Sequence, residues 1–299
     1  MVIMNIDLKI HRPNHIIKNL LGNIEYSLTS TKSKENELYV VNYHGTQQKF
    51  INNFRKQIEF FLKLFYIISP QELDLFYANS LKVSNKPMLL LTFDDGIKNN
   101  YYAFEVLKEH DLKAFIFVIP DFINTSVDKQ KEYFLNHIRP NINPAIDHEA
   151  EDFCALSWDE IKTMQSLGYG IGSHTKTHQL VAKESSVENS MIEIQKSKQK
   201  IAGNLNVSLD SINSFCSINN TIESISNKEL RLIKENYKYH FTTIPGPNLS
   251  KGSPFFIRRS NIELYWLLGA VKYSLGKWDL KRWKEKENVY LDMLNNENK

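Results

Sequence analysis

The stretch Met88-Leu-Leu-Leu-Thr-Phe-Asp-Asp-Gly96 runs from an apolar segment straight into two adjacent carboxylates and a glycine. A short apolar run that stops at turn residues reads as a buried strand, which places Asp94 and Asp95 at its carboxyl end. Further along, Gly170-Ile-Gly-Ser-His-Thr-Lys-Thr-His178 follows the same logic, with His174 and His178 four positions apart after another strand. Two carboxylates and two imidazoles supply three ligands for one divalent ion and leave a carboxylate for proton transfer. That is the minimum set for metal-assisted hydrolysis. Asp-Asp-Gly alone is ordinary turn chemistry; the histidine pair makes it a candidate site.

Outward from these two segments, β-type runs alternate with helical patterns. Strands are predicted at Leu38–His44, Met88–Phe93, Ala114–Val118, Gly170–Ser173, Ser214–Ser217, Tyr239–Thr243 and Phe255–Arg259. Phe50, Phe54, Ile58, Leu62 and Phe65 predict an amphipathic helix over 46–65, and Val187, Met191, Ile194 and Ile201 predict another. Ser157 and Glu160 have the spacing of a capping box at a helix start. Such alternation predicts an α/β fold with a parallel sheet covered by helices, closed or nearly closed into a barrel. Reacting groups in barrels gather at the carboxyl ends of strands, where His44, Asp94, Asp95, His174 and His178 all fall.

Residues 1–37 read as a peripheral extension, and 38–299 as one domain. Residues 120–156, with Pro120, Pro140 and Pro144, read as an irregular insertion; its His137, Asp147 and His148 are solvated or line a cleft. From about 262 a helical segment follows, with Leu264, Leu268, Val271, Leu275 and Trp278 at helical spacing. Lys281, Arg282, Trp283, Lys284 and Lys286 give this segment a basic end suited to peripheral contact with an anionic membrane. A net charge of +3 spread along 299 residues argues against a nucleic-acid partner. Cys154 and Cys216 have neither disulfide-framework nor metal-type spacing, and Cys216 reads as a small buried residue. With no signal-type apolar run near Met1, the expected location is the cytoplasm, including the inner face of the membrane.

At Leu91-Thr-Phe-Asp-Asp-Gly96 and Ser173-His-Thr-Lys-Thr-His178 the chain resembles the polysaccharide deacetylase family, the NodB-homology or carbohydrate esterase family 4 proteins. Val40-Val-Asn-Tyr-His-Gly45, Leu156-Ser-Trp-Asp-Glu-Ile161 and Tyr237 to Gly246 extend the similarity over roughly residues 38–262. The resemblance implies a distorted (β/α)7-type barrel that removes an acyl group from a sugar with one divalent ion, zinc first among them. It makes Asp94 the catalytic base and Asp95, His174 and His178 the metal ligands.

Two family features have no counterpart here. The third motif, which usually places Arg or Tyr beside the base, aligns with Ser214-Phe-Cys-Ser-Ile-Asn-Asn-Thr221. The late Leu-x-His that supplies the general acid is missing, since the last histidine is His240. His44 is the candidate for that role, because imidazole changes charge near neutral pH. Arg258 and Arg259 are candidates for binding an anionic substrate or for orienting Asp94. The leading expectation is deacetylation of an N-acylated amino sugar, nucleotide-linked, lipid-linked or in an oligosaccharide, in bacterial surface-polysaccharide or lipid-linked precursor synthesis. The rivals are a metal-containing sugar-binding or scaffold protein without turnover, and hydrolysis of another C–N bond, such as a deformylation.

Overall fold

The computed structural model describes residues 13–29, 37–81, 83, 86–140, 148–182, 185–218, 225–276 and 280–295. Its strands are β1 (Glu37–Tyr43), β2 (Tyr66–Ile67), β3 (Met88–Phe93), β4 (Phe115–Val118), β5 (Gly170–Ser173), β6 (Ser214–Cys216), β7 (Tyr239–Phe241), β8 (Asn248–Leu249) and β9 (Ser260–Asn261). The spatial order β7-β6-β5-β4-β3-β1 is parallel throughout, and the short β8 adds antiparallel to β1. The last parallel strand begins later than predicted. Ile257 bridges to Phe241 on β7, and Ser260 and Asn261 pair with Val41 and Asn42 on β1. One short segment thus links the two ends of the sheet and curls it into the distorted (β/α)7-type barrel.

Strand side chains alternate between faces, so each strand serves two apolar layers. Leu38, Val40, Met88, Leu90, Phe115, Phe117, Cys216, Tyr239, Phe241 and Ile257 form the inner cluster. Their neighbours Val41, Tyr43, Leu89, Leu91, Phe93, Ile116, Val118, Ile171 and Phe215 join the larger outer cluster under the helices. Burial on both faces is why β1 and β3 read as continuous apolar runs rather than alternating ones.

Strand β5 shows how packing selects residues. A Cβ on Gly170 would stand 2.5 Å from the Phe115 ring, and one on Gly172 would stand 2.5 Å from the Phe117 ring and 2.9 Å from the Ser214 carbonyl. The glycines leave room for two phenylalanines inside the barrel, and His174 is next on the same face.

The helix predicted over 46–65 is a 3₁₀ turn at Gln48–Phe50 followed by α-helix Ile51–Leu64, burying Phe54, Gln57, Ile58 and Phe61. The Ser157 capping box forms: its Oγ accepts from the Glu160 N–H, and its own N–H donates to Glu160 Oε2 at 2.7 Å. The helix from Val187 to Leu205 departs from its predicted face. A π-turn at Ile192–Lys196 rotates the buried side, so Val187 and Met191 are exposed while Glu193, Ile194, Ile201 and Leu205 are buried.

The segment 120–156 is largely folded rather than irregular. It carries helices at Pro120–Asn124 and Val127–Tyr133, a π-turn at Phe134–Ile138 and a 3₁₀ turn at Ala150–Phe153. Asp147 lies outside the described residues. At the other end of the chain, the helix Pro13–Thr29 packs on Leu268–Gly276 through a glycine contact; a Cβ on Gly22 would stand 1.8 Å from the Gly269 carbonyl oxygen. Leu264, Val271 and Leu275 of the predicted stripe are buried. Trp278 and the side chains of Lys281, Arg282, Trp283, Lys284 and Lys286 lie outside the described residues. No helix among the described residues is long and apolar enough to cross a membrane.

Candidate active site

Asp94 continues the inward face of β3, after Met88, Leu90 and Thr92. Asp95 and Gly96 then take left-handed backbone angles, φ 74° and 67°. The tight turn lets adjacent carboxylates serve one centre instead of pointing to opposite faces. Across the barrel mouth, Thr175 and His178 are also left-handed, at φ 64° and 66°. Non-glycine residues in this region cost roughly 1–3 kcal/mol each and cluster where geometry is imposed by function.

A buried carboxylate holds the strained loop. Glu193 Oε2 accepts from the Lys176 and Thr177 N–H groups, both at 2.9 Å, and Oε1 accepts from the Thr177 hydroxyl at 2.8 Å. The Thr175 hydroxyl accepts from the His178 N–H. Sequence reading missed Glu193, because it sits among helix-patterned residues and only the π-turn brings it inward.

The structure brings Asp95, His174 and His178 together. Both His Nε2 atoms lie 3.5 Å from Asp95 Oδ1, and all three groups are buried or nearly so. His174 Nδ1 donates to the Cys216 carbonyl at 3.0 Å, and His178 Nδ1 donates to the His137 carbonyl at 2.8 Å. Carbonyl oxygens only accept, so these contacts fix the protons on Nδ1 and leave a lone pair on each Nε2. Burial lowers the His174 pKa to about 4, beyond what Asp94 and Asp95 restore, so this ring is neutral at pH 7. Asp95 Oδ1 has no hydrogen-bond partner and is shut off from solvent. Three electron pairs with no proton between them are mutually repulsive, and a divalent cation is what they fit. Tetrahedral zinc with bonds of 2.0–2.2 Å separates its ligand atoms by about 3.3–3.6 Å, matching the observed spacing.

A second group, Asp94, His174 and Cys216, is equally compact but does not fit an ion. Arg259 already places a cation there, with Nη2 2.8 Å from the Cys216 sulfur and Nη1 2.7 Å from Asp94 Oδ1. Burial also pushes the Cys216 thiol well above its ordinary pKa, and metals take the thiolate.

Asp94 is gripped chiefly by Arg259, with a longer contact from Asn42 Nδ2 to Oδ2 at 3.4 Å. Arg259 meets both carboxylate oxygens, at 2.7 and 3.0 Å, and also donates to Thr92 Oγ1 and the Thr242 carbonyl. Burial alone would raise the Asp94 pKa, but the charge of Arg259, with smaller help from His174 and His44, holds it well below the carboxylate range. Arg259, just ahead of β9, thus stands beside Asp94; of the described residues of the third-motif segment, Cys216 also reaches that carboxylate, its sulfur 3.8 Å from Oδ1. Arg258 donates to the Pro245 carbonyl and to Glu287. Both guanidiniums make hydrogen bonds within the protein, and Arg258 also lines a cavity with Glu287.

His44 stands at the end of β1 with Nε2 3.9 Å from Asp94 Oδ2 and its side chain 21% exposed. Burial lowers its pKa, Arg139 adds to that, and Asp95, Asp94 and Glu263 oppose it. His240 faces away from this centre. It is buried between Ser217 and Tyr290, outside the barrel wall. His148 belongs to a network with Gln47 and Asp152 that ties the insertion to the loop after β1, next to His44.

Comparison with known proteins agrees with this geometry. The family model described as polysaccharide deacetylase matches residues 82–230, a segment holding both motifs. Among curated proteins none matches the chain. Solved structures similar to it include the Streptococcus pyogenes deacetylase PplD in complex with acetate, with TM-score 0.59, 18% identity, and coverage of 81% of this chain and 99% of that one. The BpsB deacetylase domain from Bordetella bronchiseptica gives TM-score 0.57 and 18% identity over 78% of this chain and 98% of that one. A de-N-acetylase from Aggregatibacter actinomycetemcomitans gives 0.58 and 15% over 80% and 100%. Identities this low speak for a shared fold; the family match adds the two motifs whose side chains converge at the barrel mouth. By that match, residues 82–230 are those of the polysaccharide deacetylase family, and the fold around them agrees.

Proposed function

We propose that the protein is a divalent-metal hydrolase that removes the acetyl group from an N-acetylated amino sugar used in building a surface polysaccharide or its lipid-linked precursor. The observation that carries this reading is the orphaned Asp95 oxygen between two Nε2 lone pairs, with ionised Asp94 beside it. Asp95, His174 and His178 would hold the ion; when bound, it acidifies water and polarises an acyl carbonyl. Asp94 takes the proton from the attacking water, and Arg259 holds that carboxylate ionised and in register. His44 Nε2, 3.9 Å from Asp94 Oδ2, delivers a proton to the departing sugar nitrogen from its imidazolium form, which Asp95 and Asp94 favour against burial. Its partly exposed ring regains one from solvent. The barrel wall excludes bulk water from all but the mouth of this arrangement.

PplD, crystallised with acetate, and the BpsB deacetylase domain support the assignment of the acyl group. The reading without turnover drew on two missing features, a partner for the base and a late general acid; Arg259 beside Asp94 supports an answer to the first, and His44 is the candidate for the second. Acetate release from N-acetylated sugars by the zinc-loaded protein tests the proposal. Turnover is expected, with Asp94→Asn losing about 100-fold or more while keeping the ion. Turnover untouched by Asp94→Asn contradicts it.

A further inference from the structure

The insertion brings one positive charge near the site with no acid to answer it among the described residues. Arg139 follows the π-turn at Phe134–Ile138, with its N–H donating to the Phe134 carbonyl. Two residues earlier, the His137 carbonyl accepts from Nδ1 of His178 at 2.8 Å. Arg139 therefore starts within about 7 Å of chain from a backbone atom that touches a metal ligand. Its charge is also felt at His44, on the opposite wall. The guanidinium thus belongs to the mouth between β5 and β1.

Arg139 is half-buried, yet its side chain has no hydrogen-bond or ion-pair partner among the described residues. Arg55, Arg258 and Arg259 each face a carboxylate. Three acids of the insertion are committed elsewhere: Asp121 to Lys176 and Lys200, Glu151 to Tyr102, and Asp152 to Gln47, Asn99 and the Glu149 N–H. Glu263, across the mouth, accepts from Asn261. A guanidinium is a planar fork matched to two oxygens of one anion, and a partly desolvated one is stabilised by receiving them.

We propose that Arg139 is a specificity determinant that receives an anionic group, a phosphate or a carboxylate, carried by the amino-sugar substrate. This rests on the hydrolase reading for the word substrate, and on the geometry alone for the anion. A phosphate would come from a nucleotide-linked or lipid-linked sugar and a carboxylate from an acidic sugar unit; the chemistry recognised is the same.

Titration calorimetry on the zinc-loaded protein separates these sources, with N-acetylglucosamine as the neutral probe and N-acetylglucosamine 1-phosphate and N-acetylglucosaminuronic acid as the charged ones. At least one charged probe is expected to bind roughly tenfold tighter than the neutral one, with Arg139→Gln abolishing that preference and Arg139→Lys restoring part of it. The neutral sugar should bind both variants as it binds the parent. The arm that responds to Arg139 names the anion. No preference in the parent, or one that survives in Arg139→Gln because the metal holds the anion, overturns the proposal. Acetate release from the same sugars is scored separately: an Arg139-dependent preference without any release upholds the anion site and removes the hydrolase reading.

Discussion

Arg259 and Asp94 meet inside the barrel through paired hydrogen bonds, Nη1 to Oδ1 at 2.7 Å and Nη2 to Oδ2 at 3.0 Å, although 165 residues separate them in the chain. Both side chains are almost fully buried. A buried pair is no guarantee of net stability, but removing one partner strands the other's charge. Arg259→Ala should therefore lower the unfolding free energy by about 3–5 kcal/mol and cut acetate release sharply. Arg259→Lys keeps the charge but loses the fork, and should recover stability better than turnover. Urea denaturation together with acetate release checks both; equal stability of parent and Arg259→Ala would contradict the pairing.

Glu193 is expected to act on the metal without touching it. Glu193→Gln removes the carboxylate that collects the Lys176 and Thr177 N–H groups, so the strained loop carrying His178 loosens. Zinc affinity should fall by about 10–100-fold, the usual consequence of losing a supporting contact behind a ligand. Competitive titration against a chromogenic chelator measures it, and an unchanged affinity would mean that the loop holds itself.

Gly172→Ala tests why β5 is built from small residues. Its Cβ would meet the Phe117 ring at 2.5 Å and a backbone oxygen at 2.9 Å, so a loss of about 1–3 kcal/mol is expected. Gly203→Ala is the matched control. It lies in a helix with open space around it, and should gain roughly 0.5–1 kcal/mol. Chemical denaturation of both variants decides; a neutral Gly172→Ala would show that the inner layer can shift.

Strands β1 and β3 to β7 and the trio Asp95, His174 and His178 were legible because their signals are local, whereas the two-residue β2 is too short to carry one. A buried apolar run ending in Asp-Asp-Gly, and a His pair four residues apart, carry their chemistry within a few positions. The last strand was placed too early because Phe255–Ile257 is apolar, whereas the segment that reaches β1 is Ser260–Asn261, whose pairing is decided by barrel closure. The π-turn at Ile192–Lys196 defeated periodicity by adding a residue to one helical turn, which exposed Val187 and hid Glu193. Arg259 was visible as a candidate, but only the closing segment decides between Asp94 and a ligand. Nothing in the sequence around Arg139 announces that the turn just before it accepts a hydrogen bond from His178 through the His137 carbonyl.

His240 gives the protein a pH dependence independent of the site. Burial lowers its pKa to about 3, against an unfolded value near 6.5. The unfolded chain therefore binds a proton that the folded ring refuses. The associated stability is full above about pH 6.5 and is lost as pH falls toward 3, at roughly 1.4 kcal/mol per unit. Urea midpoints between pH 7.5 and 5 should fall less steeply in His240→Gln than in the parent. Parallel slopes would show that the buried imidazole does not drive the loss.

Ion binding at Asp95, His174 and His178 tests the account most directly, because every chemical role assigned here is arranged around it. Zinc titration of the parent, of Asp95→Ala and of His178→Ala, followed by calorimetry, should give one tight ion in the parent and a loss of about 100-fold or more in each variant. A parent that takes up no ion, or variants that bind it as tightly as the parent does, would contradict the metal centre and with it the hydrolase.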